Sequence, residues 1–193
     1  MIMLFKVDWT LLSEPVPLPT ASKVSGVGQE SIKQLYRTGS LGPGPCVSAS
    51  VPSIPIYHLA SLLVLQEAEK KQIDRDKVWK VLPVIAGAAY VHFQSTELKA
   101  GRCDVRGGTP NLNNQLWVML NSAAGQTMLE GQLPGEAVQP QRYACFTRQG
   151  YFTCDAVEEC AAQFEACETI DTWHIASQLS QGLRGRLFAT RIA

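Results

Sequence analysis

The 193-residue sequence lacks the long apolar run that a membrane-spanning helix needs. Such a helix takes about 18–20 apolar residues, and the most apolar stretch, residues 78–93, contains Lys80 and Pro83. The beginning of the chain has no basic leader, and its apolar stretch is short for a signal peptide. We therefore expect a cytoplasmic protein with no membrane partner.

An excess of either charge is also missing. The sequence has 17 Lys plus Arg and 17 Asp plus Glu, so its formal net charge is zero. This balance excludes a protein that coats nucleic acid through bulk positive charge. The charge is unevenly placed, because residues 17–85 hold eight basic and five acidic groups, whereas residues 86–193 hold eight and ten. Any nucleic-acid-binding surface is therefore expected within residues 17–85.

The six cysteines include no Cys-x-x-Cys pair, the close spacing that structural zinc sites favour. Cys145, Cys154, Cys160 and Cys167 are separated by eight, five and six residues. We expect them to pack as small apolar side chains, with metal binding or redox sensing as the alternative. Free thiols are expected rather than disulfides in a cytoplasmic protein. No metal or cofactor is predicted.

A tight turn between two short helices is indicated near the start of the chain. Thr20 is the expected N-cap of the first helix. Gly26 is expected to end it, because glycine readily adopts the positive φ found at helix C-termini. The small side chain of Ser22 would let the second helix approach closely. This spacing is typical of a helix-turn-helix.

The second helix is predicted over residues 29–38, with Gly39 ending it. Its apolar residues recur at i, i+3 and i+4 and should pack on the first helix; they are Ile32, Leu35 and Tyr36. The opposite side carries long polar side chains, namely Gln29, Lys33, Gln34 and Arg37. Such side chains on an exposed helix suit the base edges of the major groove and the flanking phosphates.

Further elements are expected in order after this helix. A loop rich in Gly, Pro and Ser over residues 41–53 would form a wing, and residues 54–57 a short strand. An apolar helix is predicted over residues 59–72. Asp74 would begin another helix, with Val78, Trp79, Val81 and Leu82 facing inward. Pro83 and Gly87 are expected to break this helix, so that no long dimerisation helix follows.

Residues 24–43, 56–65 and 73–78 together resemble the winged helix-turn-helix of MerR-type regulators. The matching features are the Gly-Val turn, the second helix ending before a Gly-Ser-Leu-Gly-Pro segment, a wing, a Tyr-bearing strand and an apolar helix. The resemblance implies a regulator whose second helix enters the major groove of DNA. It implies base contacts by Gln29, Lys33 and Gln34, and phosphate contacts by Lys23, Tyr36, Arg37 and His58.

Three features depart from the MerR-type pattern. The wing, residues 42–53, contains no Lys or Arg for the phosphates. Glu30 stands where the family often has arginine, and its carboxylate should repel the DNA backbone. No cysteine corresponds to those of the metal-sensing members.

We predict an α+β protein in three parts. Residues 1–16 form an N-terminal arm, residues 17–85 a winged helix-turn-helix domain, and residues 86–193 a small α+β dimerisation or effector domain. Within the last part we expect strands at 116–120 and 127–129, a hairpin over 142–153, a helix from Asp155 with Val157 facing inward, a helix over 172–183 and a strand over 186–192.

These features predict a sequence-specific DNA-binding transcriptional regulator. Its expected partners are double-stranded DNA, a second copy of the chain, and a small-molecule or protein effector. One alternative is a phage or plasmid accessory DNA-binding factor of the excisionase or packaging type, and another is a protein-interaction adaptor. We do not expect an enzyme, because no nucleophile elbow or phosphate-binding loop is present and the three histidines (His58, His92, His174) are far apart.

Overall fold

The computed structural model describes residues 14–41, 51–99, 141–148, 150–159 and 167–183. These ranges contain helices and two small antiparallel sheets, which confirms the predicted α+β class. The helices are α1 (Leu18–Ser25), α2 (Gln29–Arg37), α3 (Ile56–Lys70), α4 (Arg75–Lys99) and α5 (Thr172–Leu183). The strands are β1 (Pro15–Pro17), β2 (Ser53–Pro55), β3 (Tyr143–Phe146), β4 (Tyr151–Cys154) and β5 (Glu168–Asp171).

A two-stranded antiparallel ribbon holds the starts of α1 and α3 together. In it, β1 pairs with β2 so that buried Val16 lies opposite buried Ile54. The Leu18 N–H donates to the Pro52 carbonyl at 3.1 Å, and the Ile56 N–H donates to the Glu14 carbonyl at 3.1 Å. Both helices therefore leave the ribbon from fixed points.

The first helix begins earlier than the sequence suggested. Pro17 is its N-cap, and a proline occupies the first turn, where the missing N–H has no helical partner to lose. Thr20 lies inside α1 and is buried, so its prediction as the N-cap is wrong.

Helix α3 is buried around most of its circumference, and it too begins earlier than predicted. Ile56 and Tyr57 already belong to it, so the strand expected over residues 54–57 ends at Pro55. The buried Ser61 hydroxyl donates to the Tyr57 carbonyl at 3.1 Å. That bond satisfies a polar group within an apolar environment.

Helix α4 is continuous for 25 residues although Pro83 lies in its interior. Every residue from 81 to 91 is buried, including Gly87. Proline removes a backbone hydrogen bond from a helix interior, but burial of this length of apolar helix offsets the loss because tertiary packing supplies most helix stability in proteins. The expectation that Pro83 and Gly87 break the helix is therefore wrong.

The first two turns of α4 agree with the sequence-based prediction except at one residue. The Asp74 carboxylate accepts a hydrogen bond from the Asp76 N–H at 2.9 Å, which is the bond an N-cap makes. The predicted inward residues Val78, Val81 and Leu82 are buried. Trp79 is 39% exposed, so its inward prediction is wrong.

One hydrophobic core includes residues from both halves of the chain. α4 packs against both α3 and α5. Ala144, Phe146, Ile170 and Leu179 join the same buried cluster as the residues of α3 and α4. The expected boundary between residues 85 and 86 thus lies within a buried helix, while the role of residues 86–193 in dimerisation or effector binding stays a prediction.

The β3–β4 hairpin and α5 follow the sequence-based prediction, whereas β5 was not predicted. β3 is the central strand, with β4 and β5 antiparallel on its two sides. The predicted hairpin is confirmed, and the Thr147 N–H closes its turn by donating to the Gly150 carbonyl at 2.8 Å. α5 occupies the predicted residues 172–183 and buries Ile175, Ala176 and Leu179.

Asp171 joins the end of β5 to the start of α5. Its carboxylate accepts from the Arg142 guanidinium at 2.8 Å and from the Trp173 N–H at 2.9 Å. Partial burial alone would raise the pKa of Asp171, but the Arg142 bond and the helix N–H groups outweigh it and hold the pKa below its ordinary value. The Arg142 guanidinium also lies over the rings of Tyr143 and Trp173, at 4.8 and 4.6 Å from their centroids.

α5 approaches α1 very closely at Gly182. A Cβ atom at this position would lie 2.2 Å from Cγ2 and 2.8 Å from Cγ1 of Val24. A side chain at position 182 would clash with the Val24 side chain, so glycine lets α5 pack closely against α1.

Several predictions fall outside the described residues. They concern the arm up to residue 13, most of the wing (42–50), the strands at 116–120, 127–129 and 186–192, and most of the helix expected from Asp155. Of that helix, residues 157–159 are described and helical, and Val157 is 39% exposed, so its inward prediction is wrong. No helix in the described ranges combines the length and apolarity needed to cross a bilayer.

Candidate nucleic-acid interface

The turn between α1 and α2 is shaped by Gly26 and Ser25. Gly26 adopts φ 73° and its N–H donates to the Ser22 carbonyl at 2.8 Å, so it ends α1 as predicted. The buried Ser25 hydroxyl donates to the Ala21 carbonyl at 2.8 Å and accepts from the Val27 N–H at 3.2 Å. These bonds satisfy the backbone on both sides of the turn, which fixes the direction in which α2 leaves.

The end of α2 is equally well defined. The Ser40 N–H donates to the Leu35 carbonyl at 2.8 Å, and the Gly39 N–H donates to the Tyr36 carbonyl at 3.1 Å. With Gly39 at φ 70°, this pair of bonds is a Schellman cap. α2 is therefore a short helix with both ends set by glycine-containing turns.

One edge of α2 is buried and the rest is open to solvent. Ile32 is completely buried, while Leu35 and Tyr36 are half-buried and pack on the same core. The exposed residues of the helix are Gln29, Glu30, Ser31, Gln34 and Arg37. At 100° per residue, Glu30, Gln34 and Arg37 point most directly away from Ile32. Lys33 lies beside them, and Gln29 is exposed at the first position of the helix, about 60° from Ile32 in the same projection. We call these five residues the outer face of α2.

The outer face is less basic than the sequence alone suggested. The Lys33 ammonium pairs with the Glu30 carboxylate at 2.5 Å. The hydrogen bond and charge of Lys33, with a smaller contribution from Arg37, hold the pKa of Glu30 below its ordinary value. Glu30 is thus ionised at neutral pH, and its negative charge offsets part of the positive charge of Lys33 and Arg37 on this face.

The structure brings together four of the seven predicted DNA-contacting residues. Gln29, Lys33, Gln34 and Arg37 share the outer face of α2. Lys23 is exposed but lines a different cleft, of about 610 Å³, between α1 and α5, where Gln178 and Gln181 form the opposite wall.

Tyr36 and His58 lie behind the outer face. The His58 ring meets the Tyr36 ring edge-on, with 5.0 Å between centroids, and also contacts Tyr57 at 5.1 Å. His58 is only 2% exposed, and burial raises the pKa of Tyr36. The prediction of a phosphate contact by His58 is corrected, because the side chain is packed between α2 and α3. The phosphate contact of Tyr36 stays a prediction.

A groove lies behind α2, between the turn and the α3–α4 corner. It has a volume of about 420 Å³, and its apolar wall includes Val27, Leu35, Leu62, Leu65 and Ile73. Gln72 lines the same groove and has φ 56°, an uncommon conformation for a residue other than glycine. Gln66, Glu69 and Arg75 also line the groove, so it offers both apolar and polar contacts adjacent to α2.

The sequence placed the Glu30 carboxylate towards the DNA backbone, but its ion pair with Lys33 and the exposure of Ser31 were missed. The spacing of Glu30 and Lys33 at i and i+3 was the available signal for the ion pair. The close approach of α5 to α1 was missed as well, and no local pattern around Gly182 marks it.

Three of the four neighbouring cysteines meet at the β3–β4 hairpin. The sulfur of Cys145 lies 3.3 Å from that of Cys154, and Cys167, just before β5, packs on the pair. Cys145 and Cys167 are free, as expected. Cys154 is disulfide-bonded, so the expectation of a free thiol is wrong there. Within the described ranges, no group of three or more acidic, His or Cys side chains is arranged to hold a metal ion.

No known protein family matches the sequence, and neither a curated protein nor a solved structure is significantly similar to it. The resemblance to MerR-type regulators therefore stays a prediction based on the residues alone.

Proposed function

We propose that this protein is a sequence-specific DNA-binding transcriptional regulator in which α1, the turn and α2 act as a helix-turn-helix. The observation that supports the proposal best is the outer face of α2. It is solvent-exposed and polar, whereas the opposite edge of the same helix is anchored in the core by Ile32. A short helix held in this way has the shape and side chains that the major groove accepts.

The roles of the side chains follow from their chemistry and position. Gln29 and Gln34 carry amides that donate to and accept from base edges, and Gln34 points most directly outward. Arg37 follows at the end of the helix, where its guanidinium would hold a phosphate. Lys33 would reach a base or phosphate once it leaves Glu30. Lys23, at the end of α1, would contact the backbone of the DNA beside α2.

A homodimer is part of the same proposal. A two-fold symmetric dimer would place its two copies of α2 about 34 Å apart, one turn of DNA, and so read a palindromic site. A single outer face with one arginine, one lysine and one glutamate offers few net phosphate contacts, so two copies would be needed for tight binding.

The first experiment is selection of bound fragments from random or genomic DNA, followed by affinity measurements at two salt concentrations. The wild-type chain should bind a defined sequence, and the affinity should fall as salt rises. Gln34→Ala should relax the sequence preference. Arg37→Ala should weaken binding to all sequences and reduce the salt slope by about one.

Arg148→Ala is the matched control for Arg37→Ala, because Arg148 is exposed at the turn of the β3–β4 hairpin. It removes the same charge and should leave DNA affinity unchanged. Equal losses for the two variants would mean that net charge, rather than α2, controls binding. An absence of salt-dependent DNA affinity in the wild type would overturn the proposal.

A protein-interaction adaptor is the second candidate, and the Glu30–Lys33 ion pair favours it. The Glu30 carboxylate on the outer face is already paired with Lys33. The charge of this face is therefore closer to neutral than that of a typical phosphate-binding surface. In that case the wild-type chain would select no DNA fragment, and substitutions at Gln34 and Arg37 would change the affinity for a protein partner instead.

A further inference from the structure

The groove behind α2 has the size and lining of a small-molecule site. Its volume of about 420 Å³ lies within the range of roughly 300–1,000 Å³ that such sites occupy. The turn contributes Val27, α2 contributes Leu35 and α3 contributes Leu62 to its apolar wall. Glu69 and Arg75 add a carboxylate and a guanidinium to the same lining. A ligand with an apolar body and charged ends would match both parts of this groove.

The two charged side chains of the groove are available to a ligand. Glu69 and Arg75 are exposed, and neither forms an ion pair with another residue that the structure describes. The lysines that follow Glu69 pair with Glu67 instead, Lys70 at 3.7 Å and Lys71 at 3.4 Å. One open carboxylate and one open guanidinium in a single groove are complementary to a ligand that carries both charges.

Each of these charges also lies at the helix end that attracts the opposite charge. Glu69 is in the last turn of α3, where the helix dipole is negative, and Arg75 is the first residue of α4, where it is positive. Helix stability alone favours the reverse placement. A ligand ammonium beside Glu69 would be attracted by the end of α3 as well, and a ligand carboxylate beside Arg75 by the start of α4.

Gln72 stands where glycine would suit the backbone better. It adopts φ 56° just after α3, and its N–H donates to the Glu69 carbonyl at 3.0 Å. The Ile73 N–H donates to the Ala68 carbonyl at 2.9 Å, so the pair of bonds is a Schellman cap, which usually contains glycine. The side chain of Gln72 lines the groove. Its amide is therefore placed there at a conformational cost, as is common at ligand sites.

We propose that this groove binds a small zwitterion with an apolar body, the chemistry of a free apolar amino acid or a short apolar peptide. The apolar body packs on Val27 and Leu35. The ammonium lies beside Glu69 and the carboxylate beside Arg75, and the Gln72 amide hydrogen-bonds one of these charged ends. The site is independent of the proposed DNA-binding function, because its occupancy is measured without DNA.

The test is a titration of the isotope-labelled full chain at low salt and neutral pH, followed by NMR. The probes are phenylalanine and the dipeptide leucyl-leucine, and the tighter one identifies the amino acid or the peptide as the ligand. At least one should bind saturably and shift the backbone signals of Val27, Gln72 and Ile73. If neither probe binds saturably, or if the shifted signals lie away from the groove, the proposal is wrong.

Each charge is then tested by combining a variant with a capped form of the tighter probe. Glu69→Gln should weaken binding of the zwitterion about twofold to fivefold, as expected for an exposed ion pair. It should leave binding of the N-acetylated probe, which has no ammonium, unchanged. Arg75→Gln should behave in the same way towards the probe whose carboxylate is replaced by an amide.

Lys80→Gln is the matched control for Arg75→Gln, because Lys80 is exposed on α4 outside the lining of the groove. It removes the same charge and should leave the affinity unchanged. Equal losses for the capped and uncapped probes, or for Lys80→Gln and Arg75→Gln, would show that the two charges do not contact the ligand and would overturn the proposal.

Gln72→Gly separates binding from folding. Its free energy of unfolding should be unchanged or higher, because glycine adopts φ 56° without strain. The affinity for the zwitterion should nevertheless fall at least twofold, since the amide is lost. An affinity equal to that of the wild type would overturn the proposed contact of Gln72 with the ligand.

Discussion

Helices α2 and α4 use their residues in opposite ways. α2 has nine residues and buries only Ile32 fully, whereas α4 has 25 and buries every residue from 81 to 91. α2 is defined by its turns, with Gly26 before it and Gly39 after it. α4 is defined by its tertiary contacts, since both α3 and α5 pack against it. α2 therefore offers a surface, and α4 supports the fold.

This difference predicts that stability and binding can be changed separately. Truncation of the exposed residues of the outer face, such as Gln34 and Arg37, removes little buried area, so it should affect a partner and leave folding unchanged. Substitutions in the middle of α4 create cavities in the core that joins both halves of the chain.

Phe93→Ala on α4 should cost the most stability. Phe93 is fully buried in the shared core, and truncation of a buried phenylalanine typically costs about 3–5 kcal/mol. Gln34→Ala on α2 is the comparison variant and should change the free energy of unfolding by less than about 0.5 kcal/mol. Urea unfolding followed by circular dichroism would measure both. Similar losses for the two variants would contradict the division between a supporting and a surface helix.

Gly182→Ala tests how firmly α5 supports α1. The new methyl group would meet the Val24 side chain at 2.2 Å, and overpacking of this kind typically costs about 1–3 kcal/mol. Val24→Ala in the same chain should recover most of that loss, because it removes the two methyl groups that clash. Unfolding of the single and double variants would give the coupling energy.

Ser177→Ala is the control for Gly182→Ala, since Ser177 is exposed on the same helix. It should leave stability nearly unchanged. If Val24→Ala fails to rescue Gly182→Ala, the close approach of α5 to α1 is not the reason that glycine is needed.

The sequence predicted α2 and α5 well because each is amphipathic and has clear ends. Ile32, Leu35 and Tyr36 mark one edge of α2, and the observed helix ends one residue before the predicted limit. The bounds of α5 coincide with those expected. In both helices the local pattern of apolar residues and the tertiary environment agree, so reading the pattern was sufficient.

α4 and His58 were misread because their environment is set by distant parts of the chain. Pro83 is a helix breaker by local rules, but α3 and α5 bury the helix around it. His58 looked like a surface residue until α2 and α3 enclosed it. The contact between Cys145 and Cys154 depends on strand register, which the spacing of cysteines does not reveal. Single-residue propensity contains none of this information.

Glu30→Gln should have the smallest effect and tests the outer face most directly. The substitution removes the carboxylate that pairs with Lys33, and since both groups are solvent-accessible, the free energy of unfolding should barely change. If the outer face binds DNA, the affinity should rise roughly threefold to tenfold at low salt, because a repulsive charge is lost and Lys33 becomes available to a phosphate. The salt slope should become steeper by about one for the same reason.

Glu158→Gln is the matched control, since Glu158 is exposed beyond the β3–β4 hairpin. This substitution should leave the DNA affinity unchanged. A Glu30→Gln variant that binds DNA no better than wild type would place the contact surface elsewhere, and α2 would then be a surface helix without the role proposed for it.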